Sequence, residues 1–148
     1  MTISPDGVKK ICAHEGCELK VYLDRAGLPT IGVGHLIKRG ELFPTEGITQ
    51  ERADELLADD LKFTVDGVNA CLEVEVTQAQ FDALVSFAFN VGIGALRSSS
   101  LLRAVNLKES NEVIRERLAR WNKVTINGKK VEVAGLTKRR AAEGEAWP

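Results

Sequence analysis

Residues 14–35 read H-E-G-C-E-L-K-V-Y-L-D-R-A-G-L-P-T-I-G-V-G-H. This stretch begins at the end of a helical pattern and continues into two runs with alternating apolar residues, 19–24 and 30–35. Between the runs lies the turn-rich segment 25–29, R-A-G-L-P. Two such runs joined by a short turn are typical of an antiparallel hairpin. The stretch therefore predicts a helix followed directly by a small β-hairpin.

The helix before the hairpin is predicted to span residues 4–14 and to end close to Glu15. Ser4 is a favourable N-cap, Pro5 suits the first turn, and Gly16 suits a C-terminal stop. Glu15 continues an apolar stripe on the face that turns inward. The other members of that stripe are Val8, Ile11 and Cys12. A carboxyl group held there with little water favours its neutral form, which is the form that a general acid needs.

Two carboxyl groups and one hydroxyl group fall within this helix and hairpin. Hydrolysis of a glycosidic bond needs a proton donor for the leaving oxygen and a second carboxylate that activates water or stabilises the transition state. Glu15 and Asp24 suit these two roles, and Thr30 suits a residue that holds the water. The same three residues are equally typical of a helix end, a turn and a strand. The spacing alone leaves both interpretations open.

Three segments of the chain resemble one family of enzymes. The order glutamate, eight residues, aspartate, five residues, threonine, running into T-I-G-V-G-H-L, resembles the active-site segment of the phage-type lysozymes, glycoside hydrolase family 24. The segments 81–92, F-D-A-L-V-S-F-A-F-N-V-G, and 135–147, G-L-T-K-R-R-A-A-E-G-E-A-W, are similar to stretches of phage endolysins in that family. The matching segments lie at both ends and in the middle, so the resemblance covers nearly the whole chain.

The resemblance implies an endolysin, a muramidase that hydrolyses the β-1,4 bond between N-acetylmuramic acid and N-acetylglucosamine in peptidoglycan for bacterial host lysis. It implies that Glu15 is the general acid and that Asp24 and Thr30 position and activate the water for an inverting attack. The two carboxyl groups of an inverting enzyme lie about 6.5–9.5 Å apart, against about 5–5.5 Å in a retaining enzyme. Arg139 or Arg140 is a candidate to approach Glu15, where its charge would oppose the effect of burial.

The resemblance also implies four substrate contacts, at Leu36, Phe89, Asn90 and Ser100. Asn90 suits a hydrogen bond to a sugar acetamido group or to the backbone. A core position explains Phe89 as well. Helix capping also explains Ser100, because this residue ends a run of three serines.

Beyond the hairpin the chain reads as mainly helical. Thr49 is a fair cap for a long helix predicted from residue 50 to about residue 72. Thr77 and Gln80 have the capping-box spacing and precede the most apolar helix of the chain. We take that helix as the core of the C-terminal part, and its apolar residues are Phe81, Leu84, Val85 and Ala88.

A second hairpin is predicted at residues 127–128, where N-G lies between two short β-prone runs. Together these elements predict an α+β, mainly helical, lysozyme-like fold with a small N-terminal β-hairpin lobe, a larger helical C-terminal lobe and a cleft between them. We expect one domain, 1–148, with lobes of roughly 12–60 and 61–148 and the N-terminal helix 4–14.

His35 and Asp60 are predicted to form a structural ion pair. Asp60 is the charged residue on an otherwise apolar face of the long helix, and a carboxylate on such a face needs a partner. His35 arrives from the hairpin as the candidate. Two isolated histidines are weak evidence for a metal site, and three cysteines without C-x-x-C spacing argue against a disulfide framework. We therefore expect no metal and no cofactor.

Composition and charge narrow the functional classes. The chain has 148 residues of which 44% are apolar, enough for one core, and it contains no apolar run of the roughly 18 residues that a membrane span needs. Residues 1–96 hold 8 basic and 15 acidic side chains, whereas residues 97–148 hold 12 basic and 6 acidic ones. The basic C-terminal part suits an anionic polymer such as peptidoglycan. Basic and acidic residues are interleaved there, which argues against nucleic-acid binding.

The N-terminal sequence M-T-I-S-P-D-G lacks the charged start and apolar core of a signal peptide. We expect synthesis in the host cytoplasm, holin-dependent release to the cell wall, and a monomer without stable membrane insertion. Three alternatives remain: a lytic transglycosylase acting on the same bond, a chitin- or chitosan-cleaving enzyme, and a catalytically inactive peptidoglycan-binding module.

Overall fold

The computed structural model describes residues 1–148 and contains seven helices and two small antiparallel sheets. In chain order the elements are α1 (Pro5–Glu15), β1 (Glu18–Leu23), β2 (Pro29–Gly32), β3 (His35–Leu36), α2 (Gln50–Cys71), α3 (Gln78–Val91), α4 (Ile93–Ser98), α5 (Ser100–Asn106), α6 (Asn111–Ala119), β4 (Lys123–Ile126), β5 (Lys129–Glu132) and α7 (Ala134–Gly144). The predicted α+β, mainly helical class is confirmed.

The helices begin where the sequence places their capping residues. Ser4 precedes α1 and its hydroxyl accepts the N–H of Gly7 at 3.0 Å. Thr49 caps α2 in the same way. Thr77 and Gln80 form both hydrogen bonds of a capping box at the start of α3. These side chains satisfy backbone donors that a helix leaves unpaired in its first turn. The predicted start sites are therefore confirmed.

The first sheet has three strands in the order β1-β2-β3, where the sequence predicted two. The predicted second strand, 30–35, is wrong in its second half, because β2 ends at Gly32 and the chain turns back. Gly32 and Gly34 have φ angles of 67° and 66°, a left-handed backbone that glycine adopts without strain. The turn pairs Ile31 with His35 across β2 and β3. His35 thus lies on its own short strand beside β2.

The main hydrophobic core is a cluster of nineteen buried residues that is centred on α3 and includes residues from α1, α2 and α4–α6. The four apolar residues predicted for α3 are all in it, with exposed fractions of 0–2%: Phe81, Leu84, Val85 and Ala88. Trp147 near the C-terminus closes the same core. Burial of this apolar surface is the main source of stability for the helical part.

Helix α2 connects the sheet with this core, because it packs against β2 and β3 and also against α3 and α4. Ile31, Ala53 and Leu56 are buried but lie outside the nineteen-residue cluster. Many other apolar residues of the sheet and the loop after it remain exposed, namely Leu19, Val21, Leu23, Leu28, Leu36 and Leu42. The sheet therefore buries little apolar surface of its own.

The second sheet is a hairpin of β4 and β5, whose strands are joined by a two-residue turn. Ile126 pairs with Lys129 at the ends of the two strands. Asn127 and Gly128 between them have φ angles of 50° and 78°. Positive φ at both central positions is the signature of a type I′ turn, so the predicted second hairpin is confirmed. Measured for length and hydropathy, the seven helices include none that could cross a lipid bilayer.

Candidate active site

Glu15 is the last residue of α1, and the backbone turns away directly after it. Gly16 ends the helix with its N–H donated to Cys12 O at 2.9 Å and a φ of 69°. The Glu15 side chain is 18% exposed, and its Oε1 accepts a hydrogen bond from Arg139 Nη1 at 2.5 Å. Its Oε2 lies against the sheet, since a Cβ on Gly34 would come within 2.8 Å of it. One carboxylate oxygen is therefore held, and the other faces the hairpin.

Arg139 is a buried residue whose guanidinium group is bonded on every edge. Besides Glu15, it donates from Nε to Glu143 Oε1 at 3.3 Å and from Nη2 to Ser86 O at 3.1 Å and Ser86 Oγ at 3.3 Å. The Arg139 side chain is only 5% exposed. Arg139, and not the adjacent Arg140, is therefore the arginine that contacts Glu15. Its positive charge lies directly against the Glu15 carboxyl group.

Arg140 is buried beside it but points to different partners. Its Nη2 donates to Asn90 Oδ1 at 2.7 Å, and its guanidinium carbon lies 4.9 Å from the centre of the Phe87 ring. Its Nε lies 3.1 Å from Glu143 Oε2. Burial lowers the pKa of Arg140 to about 10, while the neighbouring Glu143 carboxylate acts in the opposite direction. The two arginines therefore share one buried carboxylate.

Asp24 follows β1 and holds the turn that leads to β2. Its Oδ1 accepts the backbone N–H groups of Ala26 and Leu28, each at 2.9 Å. Its backbone N–H donates to Leu28 O, and its carbonyl accepts from Gly27 N. Side-chain bonds of this kind are the usual reason for aspartate in a turn. Oδ2 makes no hydrogen bond within the protein, so one acceptor oxygen of Asp24 is available to a ligand or water.

Thr30 lies on β2 and is 2% exposed. Its hydroxyl donates its proton to Leu28 O at 2.9 Å. Because a threonine hydroxyl has one proton, Thr30 can offer only acceptor lone pairs to any further partner. Thr30 also pairs with Tyr22 across β1 and β2, close to the turn held by Asp24.

Tyr22 lies on β1 and is affected by the charges of both Glu15 and Asp24. Its pKa is raised, first by burial and then by the negative charges of Glu15, Glu18 and Asp24. A single phenol group that feels both Glu15 and Asp24 lies within electrostatic reach of each.

His35 is held from both sides by carboxylates. Its Nδ1 lies 2.7 Å from Asp60 Oδ2, and its Nε2 lies 3.0 Å from Glu41 Oε1. The structure thus brings His35 and Asp60 together and adds Glu41, which also accepts the N–H of Lys38 at 2.6 Å. Both ring nitrogens can donate at once only in the imidazolium form. The pKa of Glu41 is lowered, mainly by the Lys38 N–H and further by His35.

Comparison with known proteins identifies the family. The family model described as phage lysozyme matches residues 12–143. The chain belongs to the phage lysozyme family. It is 45% identical over 145 residues to the endolysin of Bacillus phage B103, a match that covers 97% of this chain and 52% of that protein. The chain spans about half the length of this relative and of the endolysin of Bacillus phage PZA, of which it covers 54%.

Solved structures of similar proteins support the family and the fold. The endolysin from Escherichia coli O157:H7 phage FAHEc1 superposes with a TM-score of 0.89 at 38% identity, covering 99% of this chain and 93% of that one. The muramidase domain of SpmX from Asticaccaulis excentricus superposes with a TM-score of 0.86 at 36% identity, covering 99% and 97%. The lysozyme-like architecture predicted from the sequence is therefore confirmed.

Three of the four substrate contacts implied by the family resemblance lie beside residues of the candidate site, namely Thr30, Gly34 and Arg140. Leu36 on β3 is 49% exposed and pairs with Thr30. Phe89 is partly buried against the core, and its ring edge lies near Gly34. Asn90 Oδ1 accepts from Arg140, which leaves the amide N–H groups of Asn90 as its donors to a ligand.

Ser100 lies apart from this group. It is the first residue of α5, which packs on α4 and α6, and it takes no part in the hydrogen bonds around Glu15. The helix-capping explanation applies instead to its neighbour, because Ser99 Oγ accepts the Leu102 N–H at the start of α5.

Sequence reasoning missed three residues of the site. Positions 22 and 24 fall on one face of the predicted strand 19–24, a period-two signal that could have found Tyr22. Glu143 lies four residues after Arg139 and three after Arg140, on one helix face. Ser86 is a buried polar residue inside an apolar helix run, a position that requires a hydrogen-bond partner.

Proposed function

We propose that the chain is an endolysin that hydrolyses the β-1,4 bond between N-acetylmuramic acid and N-acetylglucosamine in peptidoglycan, as a lysozyme of glycoside hydrolase family 24 (EC 3.2.1.17). One observation carries the proposal: Glu15 has one oxygen held by Arg139 and the other turned toward the hairpin that bears Asp24 and Thr30. Relatives named endolysins and a neighbour named a muramidase domain support the substrate.

In the proposed reaction Glu15 gives its proton, from the oxygen that faces the hairpin, to the leaving glycosidic oxygen. Arg139 then stabilises the carboxylate that remains. Asp24 Oδ2 and Thr30 Oγ1 are both acceptors, so one water can donate a hydrogen bond to each and direct a lone pair at the anomeric carbon. Asp24 takes the proton that this water loses, and the configuration at that carbon inverts.

The first test is product analysis after lysis of outer-membrane-permeabilised cells. Mass spectrometry is expected to find reducing N-acetylmuramic acid ends, and nuclear magnetic resonance of a fresh digest is expected to find the inverted anomer first. Anhydro-sugar ends would instead identify a lytic transglycosylase. Binding to peptidoglycan without turnover would identify an inactive binding module, and preferential cleavage of purified chitin or chitosan would identify the third alternative.

The second test is Glu15→Gln, with Glu18→Gln as its matched control. Loss of a general acid is expected to reduce turnover about 10²–10⁴-fold while circular dichroism stays unchanged. Glu18 is an exposed glutamate on the neighbouring strand, and its substitution is expected to leave the rate near that of the original chain. Normal turnover by Glu15→Gln would remove Glu15 from the mechanism.

Leu36, Phe89 and Asn90 are proposed as sugar contacts, with lobes of roughly 12–60 and 61–148 on the two sides of the cleft. Their removal is expected to raise KM more than it lowers kcat, because they touch substrate away from the bond that breaks. Ser100 stays a prediction, and Ser100→Ala tests it in the same assay. An unchanged KM would remove Ser100 from the set of substrate contacts.

We also propose that the enzyme acts as a monomer on the cell wall and reaches it through a lesion made by a holin. Light scattering is expected to give a mass near 16.2 kDa. Expression of this chain in bacteria is expected to cause lysis only when a holin is expressed with it. Lysis without a holin would show another route to the wall.

A further inference from the structure

We propose that Glu143 and Ser86 are positioning residues for Glu15 and act through Arg139. The kinetic part of this inference rests on the function proposed above. Neither Glu143 nor Ser86 contacts Glu15 in the structure. Both contact the arginine that does.

The bonding of Arg139 shows why its position depends on them. Nη1 reaches Glu15, while Nε and Nη2 are bonded to Glu143 and Ser86 on the inner side. The guanidinium group is planar and rigid, so partners on two of its edges determine where the third edge points. The bonds to Glu143 and Ser86 therefore determine the orientation of the Nη1 edge. They also determine which Glu15 oxygen binds Arg139 and which one faces Gly34.

Glu143 is the centre of this inner layer. Its Oε1 accepts from Ser86 Oγ at 2.7 Å and from Arg139 Nε at 3.3 Å, and its Oε2 lies 3.1 Å from Arg140 Nε. Its side chain is 3% exposed. Burial raises the pKa of Glu143, and the arginines and Ser86 act against that rise.

A buried cluster of two arginines and one glutamate contributes little to the free energy of unfolding. Taking charges out of water offsets most of their mutual attraction, and apolar side chains of similar volume often stabilise a fold as well or better. Such a cluster does impose direction, because each charged hydrogen bond is lost if a partner rotates. Its outer end is the ion pair of Arg139 with Glu15. This arrangement favours a role in the orientation of the acid.

His14 supplies a reporter of the Arg139 position that does not need turnover. Burial is the main cause that lowers the His14 pKa, and the Arg139 charge is the second. Glu15 acts in the opposite direction, and Arg140 and Lys138 lower the pKa further. Glu143 and His14 line one pocket, and removal of the Glu143 charge by itself would lower the His14 pKa. A rise of the His14 midpoint in a Glu143 variant therefore reports movement of the arginines.

The experiment is a double-mutant cycle on kcat with Glu143→Gln, Arg139→Gln and the combined variant. Glu143→Gln is expected to lower kcat about 10–100-fold with little change in KM, because the acid is misplaced while the sugar contacts remain. In the Arg139→Gln background it is expected to cause no further loss. The matched control is Glu145→Gln, an exposed glutamate two residues later whose substitution is expected to leave kcat unchanged.

Nuclear magnetic resonance titration of His14 completes the test. Its midpoint is expected to rise in Glu143→Gln, because Arg139 is less closely held near it. An unchanged midpoint, an unchanged kcat, or equal losses of kcat in both backgrounds would each overturn the inference. If the original chain releases no muropeptides, the proposed function fails while the His14 titration still decides the contact. Ser86→Ala, which removes one hydroxyl group, repeats both measurements if Glu143→Gln does not fold.

Discussion

The helical core and the three-stranded sheet are held by different physical forces. The core buries nineteen apolar residues in one cluster around α3. The sheet contributes one buried apolar residue outside that cluster, Ile31 on β2, which lies beside Ala53 and Leu56 of α2 in this group, and it leaves several leucines exposed. Its shape depends instead on turns and polar contacts. Asp24 holds one turn through two backbone N–H groups, glycines allow the next, and two carboxylates hold His35.

This difference separates stability from site geometry. Apolar burial is non-directional and tolerates small shifts, so it suits a scaffold. Hydrogen bonds and backbone turns are directional, so they suit the placement of catalytic groups. Glu15 lies at the junction, because it ends a helix of the core and faces the sheet. We therefore expect substitutions in the core to change the free energy of unfolding, and substitutions in the sheet to change activity first.

The largest expected effect compares the same substitution in both regions. Leu84→Ala in α3 is expected to reduce the free energy of unfolding by about 2–5 kcal/mol, since Leu84 is 1% exposed and leaves a cavity. Leu23→Ala in β1 is expected to change it by less than about 0.5 kcal/mol, since Leu23 is 67% exposed. Urea unfolding of both variants measures the difference. Equal losses would show that the sheet is a packed core of its own.

The next prediction separates the effect of backbone strain from the effect of a contact with Glu15. Gly34→Ala and Gly40→Ala both place alanine at positive φ, with an expected cost of about 1–2 kcal/mol each. A Cβ at Gly34 would come within 2.8 Å of Glu15 Oε2, whereas a Cβ at Gly40 would meet nothing within 4 Å. Gly34→Ala is therefore expected to lose activity about 100-fold, and Gly40→Ala is expected to keep it. Turbidity assays at equal concentrations of folded protein measure the two activities. Similar rates would show that the contact between position 34 and Glu15 does not affect activity.

A smaller effect concerns the polar contacts that hold His35. The pKa of Glu41 in the folded state is lowered from its ordinary value of 4.5. Its contribution to stability is therefore present above pH 4.5 and lost as the pH falls through the lowered folded-state pKa. The Tm difference between the original chain and Glu41→Gln is expected to shrink over that range, and calorimetry as a function of pH measures it. Glu46→Gln, at an exposed glutamate nearby, should give a Tm difference without this pH dependence.

The smallest expected effect is spectroscopic and tests whether the two carboxylates share one region. Tyr22 is the single tyrosine of the chain, so ultraviolet titration reads its pKa directly. Glu15→Gln and Asp24→Asn are each expected to lower this raised pKa, because each removes a negative charge that acts on the phenol. Glu46→Gln again serves as the control. A pKa of Tyr22 that responds to only one of the two variants would separate Glu15 from Asp24.

Much of the fold was predictable because its signals are local. Ser4, Thr49 and Thr77 mark helix starts through bonds that span three residues. The N-G dipeptide marks the second hairpin in the same way. The prediction from sequence missed the third strand, because the alternation of apolar residues continues through residues 30–35. The chain turns within this run only through the backbone angles of Gly32 and Gly34.

The site was less predictable than the fold. Glu15, Asp24 and Thr30 are close in sequence, so their grouping was readable from a single stretch. Tyr22 was readable from strand periodicity and was overlooked. Ser86 and Glu143 are 57 residues apart, and their contact depends on how α3 and α7 pack. No periodic pattern within one element could have paired them.

The sequence alone predicts the first three helices with their caps, the second hairpin, and the order of carboxyl group, turn and hydroxyl group. These features depend on contacts between near neighbours along the chain. Only the tertiary structure decided that Arg139 rather than Arg140 meets Glu15, across 124 residues, and that Ser86 and Glu143 hold it there. Arg139 and Arg140 are adjacent residues with the same side chain and the same charge, so the sequence does not distinguish them. The packing of α7 against α3 turns one toward the acid and the other toward Asn90, and that choice is a property of three-dimensional packing.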